Sequence, residues 1–185
     1  TATAPRVVWS PQAGSHALFV SSPVFETLYE GTRGPGKSTS LLIDYCQHVG
    51  QGHGRDWRGI IFRQNYPALA DLVEKSQQWI PKAFPTAKFT QSGPNGYTWY
   101  FATGEALLFR YIDAAKDYRN YHGHEYPWMA FDELTNWPDP KVYNLLKSCC
   151  RSSKPNIPRK LRATTNPHGV GHHWVKARFI DPVRG

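Results

Sequence analysis

The sequence predicts an α/β fold in which helices cover both faces of a mostly parallel central sheet. Short apolar strands alternate with stretches of helical spacing along the 185 residues, which is typical of parallel sheets. A glycine-rich segment at 31–38 separates the first predicted strand from a helix, and two acidic residues follow an apolar strand at 128–131. The length indicates a single domain over residues 1–185.

The elements of the first half follow from the spacing of apolar residues. Residues 25–29 alternate apolar and polar side chains and are predicted to form a strand, whereas 38–49 has the spacing of an amphipathic helix. Residues 59–62 are predicted to form a short buried strand. A second helix is predicted over 66–80, ending before Pro81 because proline lacks the N–H that a helix interior needs.

The second half continues the alternation of strands and helices. Two segments on either side of Thr103-Gly104, 97–101 and 106–111, are predicted to form a hairpin. The segments 1–16 and 113–125 are predicted to be irregular. The remaining predicted elements are a central strand at 128–131, a helix between Pro138 and about residue 149, a strand at 161–165 and a short helix or strand at 174–180.

Residues 31–38 fill every fixed position of the phosphate-binding pattern G-x-x-x-x-G-K-[ST]. A strand, a glycine loop and a helix in this order direct backbone N–H groups and a helix N-terminus at one anion. The pattern predicts that Lys37 reaches the β- and γ-phosphates of a nucleoside triphosphate and that the Ser38 hydroxyl binds Mg²⁺. A glycine loop in a surface turn is the alternative. The predicted nucleotide contacts are Gly31, Thr32, Arg33, Gly34, Pro35, Gly36, Lys37, Ser38 and Thr39.

Asp132 and Glu133 directly follow the apolar strand at 128–131. A strand that ends in an acid delivers a carboxylate to the carboxyl edge of the sheet, where phosphates bind. Asp132 is therefore predicted to hold Mg²⁺ opposite Ser38, and Glu133 to orient or deprotonate the attacking water. The pair favours hydrolysis over transfer to an acceptor, although the same pattern alone also suits an ordinary strand end.

Three further residues are candidates for the nucleotide site. Lys37 is placed in the catalytic set together with Arg33, whose guanidinium could reach the γ-phosphate within the same chain and stabilise transition-state charge. The alternative for Arg33 is a surface arginine paired with an acid. Arg63, just after the second predicted strand, is a candidate for the nucleotide pocket.

The formal net charge of +8 is concentrated near the C-terminus. Residues 1–140 contain 12 Lys and Arg against 13 Asp and Glu, whereas residues 141–185 contain 10 Lys and Arg against Asp181 alone. Basic surfaces bind polyanions because neutralised phosphates release counterions. The charge favours a nucleic-acid partner. A solvated basic face, or one that meets an acidic neighbouring domain, is the alternative.

The composition predicts a cytoplasmic protein without a membrane span. No apolar run approaches the roughly 18 residues of a spanning helix, and no basic-then-apolar signal pattern opens the sequence. Cys46, Cys149 and Cys150 form no C-x-x-C pair, and their odd number disfavours a disulfide framework.

Five stretches in one order resemble the ATPase domain of the large terminase subunit, the motor that packages DNA into tailed-bacteriophage heads. They are G-T-R-G-P-G-K-S-T at 31–39, Y-H-G-H-E at 121–125, F-D-E-L-T at 131–135, L-R-A-T-T-N-P-H-G at 161–169 and W-V-K-A-R-F-I-D at 174–181. The resemblance implies a P-loop NTPase of the additional-strand (ASCE) type that uses ATP and Mg²⁺ to drive double-stranded DNA into a procapsid. It also implies a homo-oligomeric ring on a portal protein, a small terminase subunit as partner, and the host cell cytoplasm as location.

The resemblance also implies roles for individual residues. Gln12 would read the adenine edge, although an ordinary polar loop residue is the alternative. The family often places an arginine that reaches into the neighbouring subunit just before Gly123; here that residue is His122, and the nearest arginine is Arg119. The family's nuclease domain would lie beyond Gly185. The motif that couples γ-phosphate state to DNA movement would be Thr164, Thr165 and Asn166, with a plain Asn-Pro turn as the alternative for the last.

A cluster of cations after the acidic strand is the candidate DNA surface. It spans sixteen residues without an acid and comprises Lys147, Arg151, Lys154, Arg159, Lys160 and Arg162. The alternative is that these cations face the nuclease domain or an adjacent subunit. Two other functions stay open from the residues alone: a helicase or nucleic-acid remodelling ATPase, and a slow ATP-dependent switch or assembly protein.

Overall fold

The computed structural model describes residues 6–32, 34, 36–92 and 96–183. Seven strands of the described chain form one sheet in the order β1-β7-β6-β2-β5-β4-β3. Neighbouring strands from β1 to β5 in this order are parallel, and β4 is antiparallel to both β5 and β3. The strands are β1 (Glu26–Glu30), β2 (Arg58–Arg63), β3 (Lys88–Thr90), β4 (Thr98–Tyr100), β5 (Ala106–Tyr111), β6 (Trp128–Phe131) and β7 (Lys160–Thr165).

Helices and short 3-10 turns connect the strands. The helices are α1 (Ser15–Ser21), α2 (Lys37–Cys46), α3 (Tyr66–Ala83), α4 (Lys141–Lys147) and α5 (His172–Phe179). The 3-10 turns are Gly54–Asp56, Ala115–Asn120, Leu134–Asn136 and Asp181–Val183. Among the described residues, no helix has both the length and the apolar character needed to cross a bilayer.

Two apolar clusters lie on opposite faces of the sheet. On one face, α2 and α3 bury Leu41 and Leu72 in the same cluster as Ile61 of β2. On the other, Tyr143 of α4 packs on Phe131 of β6 with ring centroids 4.8 Å apart. The structure confirms the predicted parallel sheet with helices on both faces.

The structure corrects three local predictions. The second predicted helix, α3, continues through Pro81 to Ala83; Pro81 lies in the last turn, where few helical hydrogen bonds remain to be lost. Helix α1 begins at Ser15, inside the segment 1–16 that was predicted as irregular, and continues to Ser21; its Leu18 N–H bonds the Gly14 carbonyl at 3.0 Å. A short edge strand, β3, pairs with β4 and was not predicted. The hairpin formed by β4 and β5 is confirmed.

The order of the strands places the sequence motifs side by side. β7 lies between β1, which precedes the glycine loop, and β6, which precedes the acidic pair; Ala163 is in register with both Leu28 and Phe131. Because these strands are parallel, their carboxyl ends meet at one edge of the sheet. The glycine loop, the acidic pair and the end of β7 therefore share this carboxyl edge.

A buried ion-pair network joins α2 to β7. The Asp44 carboxylate has no exposed surface and accepts hydrogen bonds from Trp128 Nε1 at 2.7 Å, Arg162 Nε at 3.2 Å and Lys160 Nζ at 3.3 Å. Arg162 is also fully buried and donates through Nη1 to the Val24 carbonyl at 2.8 Å. Buried charges are tolerated when they are paired and hydrogen-bonded. The network fixes the helix that follows the glycine loop to β7.

Candidate nucleotide-binding site

A cleft of about 940 Å³ opens at the carboxyl edge of the sheet. It brings together residues that are up to 136 positions apart in the sequence, from Thr32 to His168. Six of its lining residues come from the glycine loop and the start of α2: Thr32, Gly34, Gly36, Lys37, Ser38 and Thr39. Arg33 and Pro35 lie outside the described residues.

Gly36 closes the glycine loop in a conformation that only glycine adopts easily. Its φ is 126°, and a Cβ at this position would lie 2.5 Å from Cε1 of His16. The His16 ring comes from α1, lies within 3.1 Å of the Ser40 hydroxyl through Nδ1, and contacts Tyr29 edge-on. Helix α1 therefore packs directly against the loop that the sequence assigned to phosphate.

The Lys37 side chain is hydrogen-bonded to the backbone of the glycine loop. Its Nζ donates to the carbonyl oxygens of Gly31 at 3.0 Å and Thr32 at 2.6 Å. Burial lowers the pKa of Lys37, against the opposing influence of Asp132 and Glu133. The ammonium lines the cleft, so it is available to an anion bound there.

The Asp132 carboxylate accepts four side-chain hydrogen bonds within the site. Its side chain is 1% exposed, and its Oδ2 accepts from Ser38 Oγ at 2.8 Å and from Arg63 through both Nε, at 2.7 Å, and Nη2. Its Oδ1 accepts from the Thr164 hydroxyl. Hydroxyl and carboxylate oxygens are ligands that Mg²⁺ prefers. The adjacent Ser38 and Asp132 oxygens therefore fit the predicted metal.

Glu133 occupies a different environment from its neighbour. Its backbone is left-handed, with φ 60° and ψ 55°, and its N–H donates to Thr164 Oγ1 at 3.1 Å. The carboxylate is 36% exposed, lines the cleft and accepts from Asn136 Nδ2 at 3.2 Å. A partly exposed carboxylate beside a buried one suits a base that must meet water.

Arg63 ends β2 inside the cleft and is 4% exposed. Besides Asp132, its guanidinium donates to the Ala68 carbonyl at 2.9 Å and to Ser38 Oγ at 3.2 Å. Burial acts to lower the pKa of Arg63, but Asp132 and Glu133 outweigh it and the pKa is raised. The arginine is a fixed cation between the glycine loop, the acidic pair and α3.

The end of β7 contacts both neighbouring motifs. Thr164 and Asn166 line the cleft. The Thr165 hydroxyl donates to Thr135 Oγ1 at 3.1 Å, and the Gly31 N–H donates to the Thr165 carbonyl at 3.3 Å. The strand that carries the predicted coupling motif is therefore bonded to the glycine loop on one side and to the residues after the acidic pair on the other.

Helix α3 provides one wall of the cleft, which the sequence did not predict. Lys75 and Gln78 line it, and Lys75 Nζ pairs with Asp71 at 2.8 Å. Asn136 and His168 also line the cleft. The polar residues of α3 at positions 71, 75 and 78 follow helical spacing, and this was the one available signal.

The chain matches a protein-family model over most of its length. The model for the N-terminal part of the terminase large subunit, T4likevirus-type, matches residues 28–185. The chain belongs to the terminase large subunit family. No curated protein sequence matches it.

Solved terminase structures share the fold. The large terminase of a thermophilic bacteriophage superposes with a TM-score of 0.68 at 18% identity, covering 95% of this chain and 44% of that one. The same phage terminase in complex with ADP gives a TM-score of 0.64 at 17% identity, covering 92% and 42%. The N-terminal domain of the DNA packaging ATPase of bacteriophage phi29 gives 0.61 at 15% identity, covering 90% and 86%. The chain therefore has the additional-strand P-loop fold, as predicted. It spans less than half of the thermophilic-phage terminase.

Three residues with roles implied by the terminase resemblance lie elsewhere. Gln12, Arg119 and His122 are exposed, and none is among the described residues that line the cleft. Arg119 lies in the turn Ala115–Asn120, and His122 Nδ1 is 3.1 Å from the Tyr118 hydroxyl. Their roles in adenine recognition and in a neighbouring subunit's site stay predictions.

The structure narrows the predicted DNA surface of this terminase chain. Arg162 is fully buried and Lys160 is 12% exposed, and both pair with Asp44, so the prediction is wrong for Arg162 and disfavoured for Lys160. Their charges are used within the fold. Lys147 pairs with Glu26 at 2.9 Å. The exposed members of the cluster are Arg151, Lys154 and Arg159.

Proposed function

We propose that this chain is a Mg²⁺-dependent ATPase domain whose hydrolysis of ATP drives double-stranded viral DNA into a procapsid. The convergence of Lys37, Ser38, Asp132 and Glu133 in one cleft carries the proposal. These four supply a phosphate-binding cation, two hard oxygen ligands and a partly exposed base, which together are the parts that P-loop hydrolysis needs.

The first three residues bind and orient the nucleotide. The segment from Gly31 to Thr39, to which Arg33 and Pro35 belong, binds the phosphates, and its residues other than Pro35 can offer backbone N–H groups. Lys37 exchanges its carbonyl partners for phosphate oxygens. Ser38 and Asp132 would hold Mg²⁺, which would neutralise the charge that develops on the phosphates. Gln12 contacts the adenine from the segment before α1.

Glu133 acts on water. Asn136 holds its carboxylate at 3.2 Å, so the carboxylate can orient a water molecule on the cleft side and accept its proton. Arg33 supplies positive charge to the transition state within the chain, and Arg119 or His122 reaches the site of a neighbouring subunit. Turnover per chain should then rise with protein concentration, because neighbours complete one another's sites.

The proposed packaging role is inferred by analogy with terminase structures of the same fold. The phi29 structure is of a DNA packaging ATPase, and the thermophilic-phage terminase has a structure in complex with ADP. By analogy, this chain works in a homo-oligomeric ring on a portal protein, with a small terminase subunit, in the host cell cytoplasm. Residues 164–166 transmit the state of the γ-phosphate to the DNA-contacting surface.

Two variants test the enzymatic core. Lys37→Ala removes a phosphate contact, so both nucleotide binding and hydrolysis should weaken. Glu133→Gln keeps the shape of the side chain and removes the base, so ATP should bind without turnover. Lys141→Ala, an exposed lysine outside the cleft, is the control. Titration of a fluorescent ATP analogue beside a phosphate-release assay measures both quantities, and normal turnover by Glu133→Gln would refute the assignment of the base.

The motor itself needs separate measurements. DNA-stimulated turnover would distinguish a motor from a slow switch, and a strand-separation assay would distinguish a translocase from a helicase. A domain that turns over ATP but neither responds to DNA nor packages it with a portal would refute the packaging role.

A further inference from the structure

The two oxygens proposed to hold Mg²⁺ already share a cation in this structure. Arg63 donates to Asp132 Oδ2 through Nε at 2.7 Å and through Nη2, and the same Nη2 lies 3.2 Å from Ser38 Oγ. The guanidinium thus contacts both members of the metal pair. It is 4% exposed, so water does not weaken this ion pair as it would at the surface.

The bonds around Asp132 leave little room for another donor. Oδ2 accepts from Ser38 and twice from Arg63, and Oδ1 accepts from Thr164. A carboxylate has roughly four acceptor positions. Mg²⁺ keeps part of its water shell, and those waters must donate to protein oxygens. Some protein donor must therefore leave Asp132 when a hydrated Mg²⁺ arrives.

Arg63 is a donor with other acceptors close to its guanidinium. Its Nη1 lies 3.6 Å from Asp71 Oδ2 and 3.8 Å from Glu133 Oε2, and it already bonds the Ala68 carbonyl at 2.9 Å. A small rotation of the guanidinium would exchange one carboxylate for another and keep the charge paired. Ser38, in contrast, is itself a proposed metal ligand.

We propose that Arg63 is a positioning residue that occupies the metal pair in the nucleotide-free state and withdraws from Asp132 when Mg²⁺ and nucleotide bind. It competes with Mg²⁺ and keeps the buried Asp132 carboxylate neutralised while the site is empty. This inference rests on the proposed Mg²⁺–nucleotide site and adds a requirement: metal binding and release of Arg63 from Asp132 are one event.

If Arg63 competes with Mg²⁺, its removal should have the opposite effect to the removal of a residue that binds Mg²⁺. Loss of the arginine should strengthen the response to Mg²⁺, since the Asp132 carboxylate is then left with fewer partners. In Arg63→Gln, Mg²⁺ alone should raise the unfolding temperature, because a ligand that binds only the folded state stabilises it. Mg²⁺ alone should leave the wild-type unfolding temperature nearly unchanged. The Mg²⁺ concentration that half-saturates Mg²⁺-dependent ADP binding should fall by about tenfold, the scale of one lost charged hydrogen bond.

Two control variants test whether the Mg²⁺ response of Arg63→Gln comes from the Asp132 carboxylate. The double variant Arg63→Gln/Asp132→Asn should lose the response to Mg²⁺ alone, because the vacated carboxylate is gone. Arg55→Gln removes an exposed arginine outside the cleft and should behave as the wild type. An equal Mg²⁺ response in the wild type and in Arg63→Gln would overturn the proposal.

A second measurement uses the unaltered protein in case Arg63→Gln does not fold. The Arg63 Nε–H is buried and bonded, so its exchange with solvent, followed by NMR, should be slow in the free protein. Metal-free ADP should leave this protection in place, whereas Mg²⁺ with ADP should reduce it by about tenfold or more. If ADP binds in a Mg²⁺-dependent way and the Nε–H stays protected, this inference fails and the proposed function stands. If ADP does not bind with or without Mg²⁺, both fail.

Discussion

The backbone N–H of Glu133 donates to the side-chain hydroxyl of Thr164 at 3.1 Å. The same hydroxyl donates to Oδ1 of Asp132. One hydroxyl at the end of β7 thus binds both members of the acidic pair at the end of β6. A displacement of β7 relative to β6 must break these bonds, so the proposed coupling has a direct physical link.

Thr164→Val should separate hydrolysis from binding. Valine has nearly the same shape but leaves the Glu133 N–H and one Asp132 oxygen without a partner, at a cost of about 1–3 kcal/mol in the free energy of unfolding. We expect turnover to fall several-fold more than ATP affinity, since the acids lose their position rather than the phosphates their contacts. Urea denaturation and phosphate release measure the two effects.

Thr165→Val is the matched control on the next residue of the same strand. Thr165 bonds Thr135 rather than the acidic pair. Its loss should affect stability with a smaller effect on turnover. Equal turnover in the two variants would show that the bond between Thr164 and the acids has no catalytic role.

Glu133→Gly should increase stability while abolishing hydrolysis. A non-glycine residue in the left-handed region carries about 1 kcal/mol of strain or more, which glycine relieves. Asn156→Gly is the control: Asn156 is the other described non-glycine residue with positive φ, at 62°, and lies outside the cleft. Asparagine tolerates this conformation better, so the gain should be smaller and turnover unchanged. A lower unfolding free energy for Glu133→Gly would contradict the assignment of strain.

Local patterns predicted the elements that form the cleft. The glycine loop, β6 and the acidic pair are short-range features, in which residue type and spacing carry the information. Parallel strands then require their carboxyl ends to meet, so the proximity of Lys37, Ser38 and Asp132 followed from chain order and fold class.

The parts that the sequence did not predict depend on pairing between distant residues. Arg162 was placed on a DNA surface because its segment is basic, but its partner Asp44 is 118 positions away and both are buried. The central place of Arg63 depends on Asp132, 69 positions away. Composition within a segment cannot reveal such pairs, because burial decides whether a charge faces solvent or another charge.

Asp44→Ala should be among the most destabilising single substitutions in the chain. It leaves the buried Arg162 guanidinium and the nearly buried Lys160 ammonium without their carboxylate, and removing one partner of a buried pair costs about 3–5 kcal/mol. Glu74→Ala removes an exposed carboxylate from α3 and should change stability by about 0.5 kcal/mol or less. Chemical denaturation compares them. Similar midpoints would show that the network contributes little.

The free energy of unfolding should decrease as the pH falls from about 6.5 towards 4, and His48 should be the cause. Burial, with Lys160 nearby, lowers the pKa of His48 from 6.5 to about 4. The unfolded chain therefore binds a proton in this window that the folded protein does not, and stability decreases as pH decreases. His48→Phe keeps an aromatic ring against Trp57, with which His48 is in edge contact at 4.9 Å, and cannot take up the proton.

The pH profile of His48→Phe should accordingly be flatter than that of the wild type between pH 6.5 and 4. His173→Gln, which alters an exposed histidine, should follow the wild type. Thermal unfolding at stepwise pH values gives the comparison, and parallel profiles for the wild type and His48→Phe would exclude His48 as the source.

Arg151→Glu/Lys154→Glu should weaken DNA binding and reduce its dependence on salt. Both residues are exposed, and the Arg151 guanidinium lies 3.8 Å from the Glu125 carboxylate. Contacts to phosphate ignore base sequence and release counterions, so each lost contact should lower the slope of log affinity against log salt by about one unit. Lys116→Glu/Lys141→Glu makes the same change in net charge at exposed positions outside the 147–162 segment. If both pairs change the slope equally, only net charge matters. An unchanged slope in the first pair would place the DNA surface elsewhere on the protein.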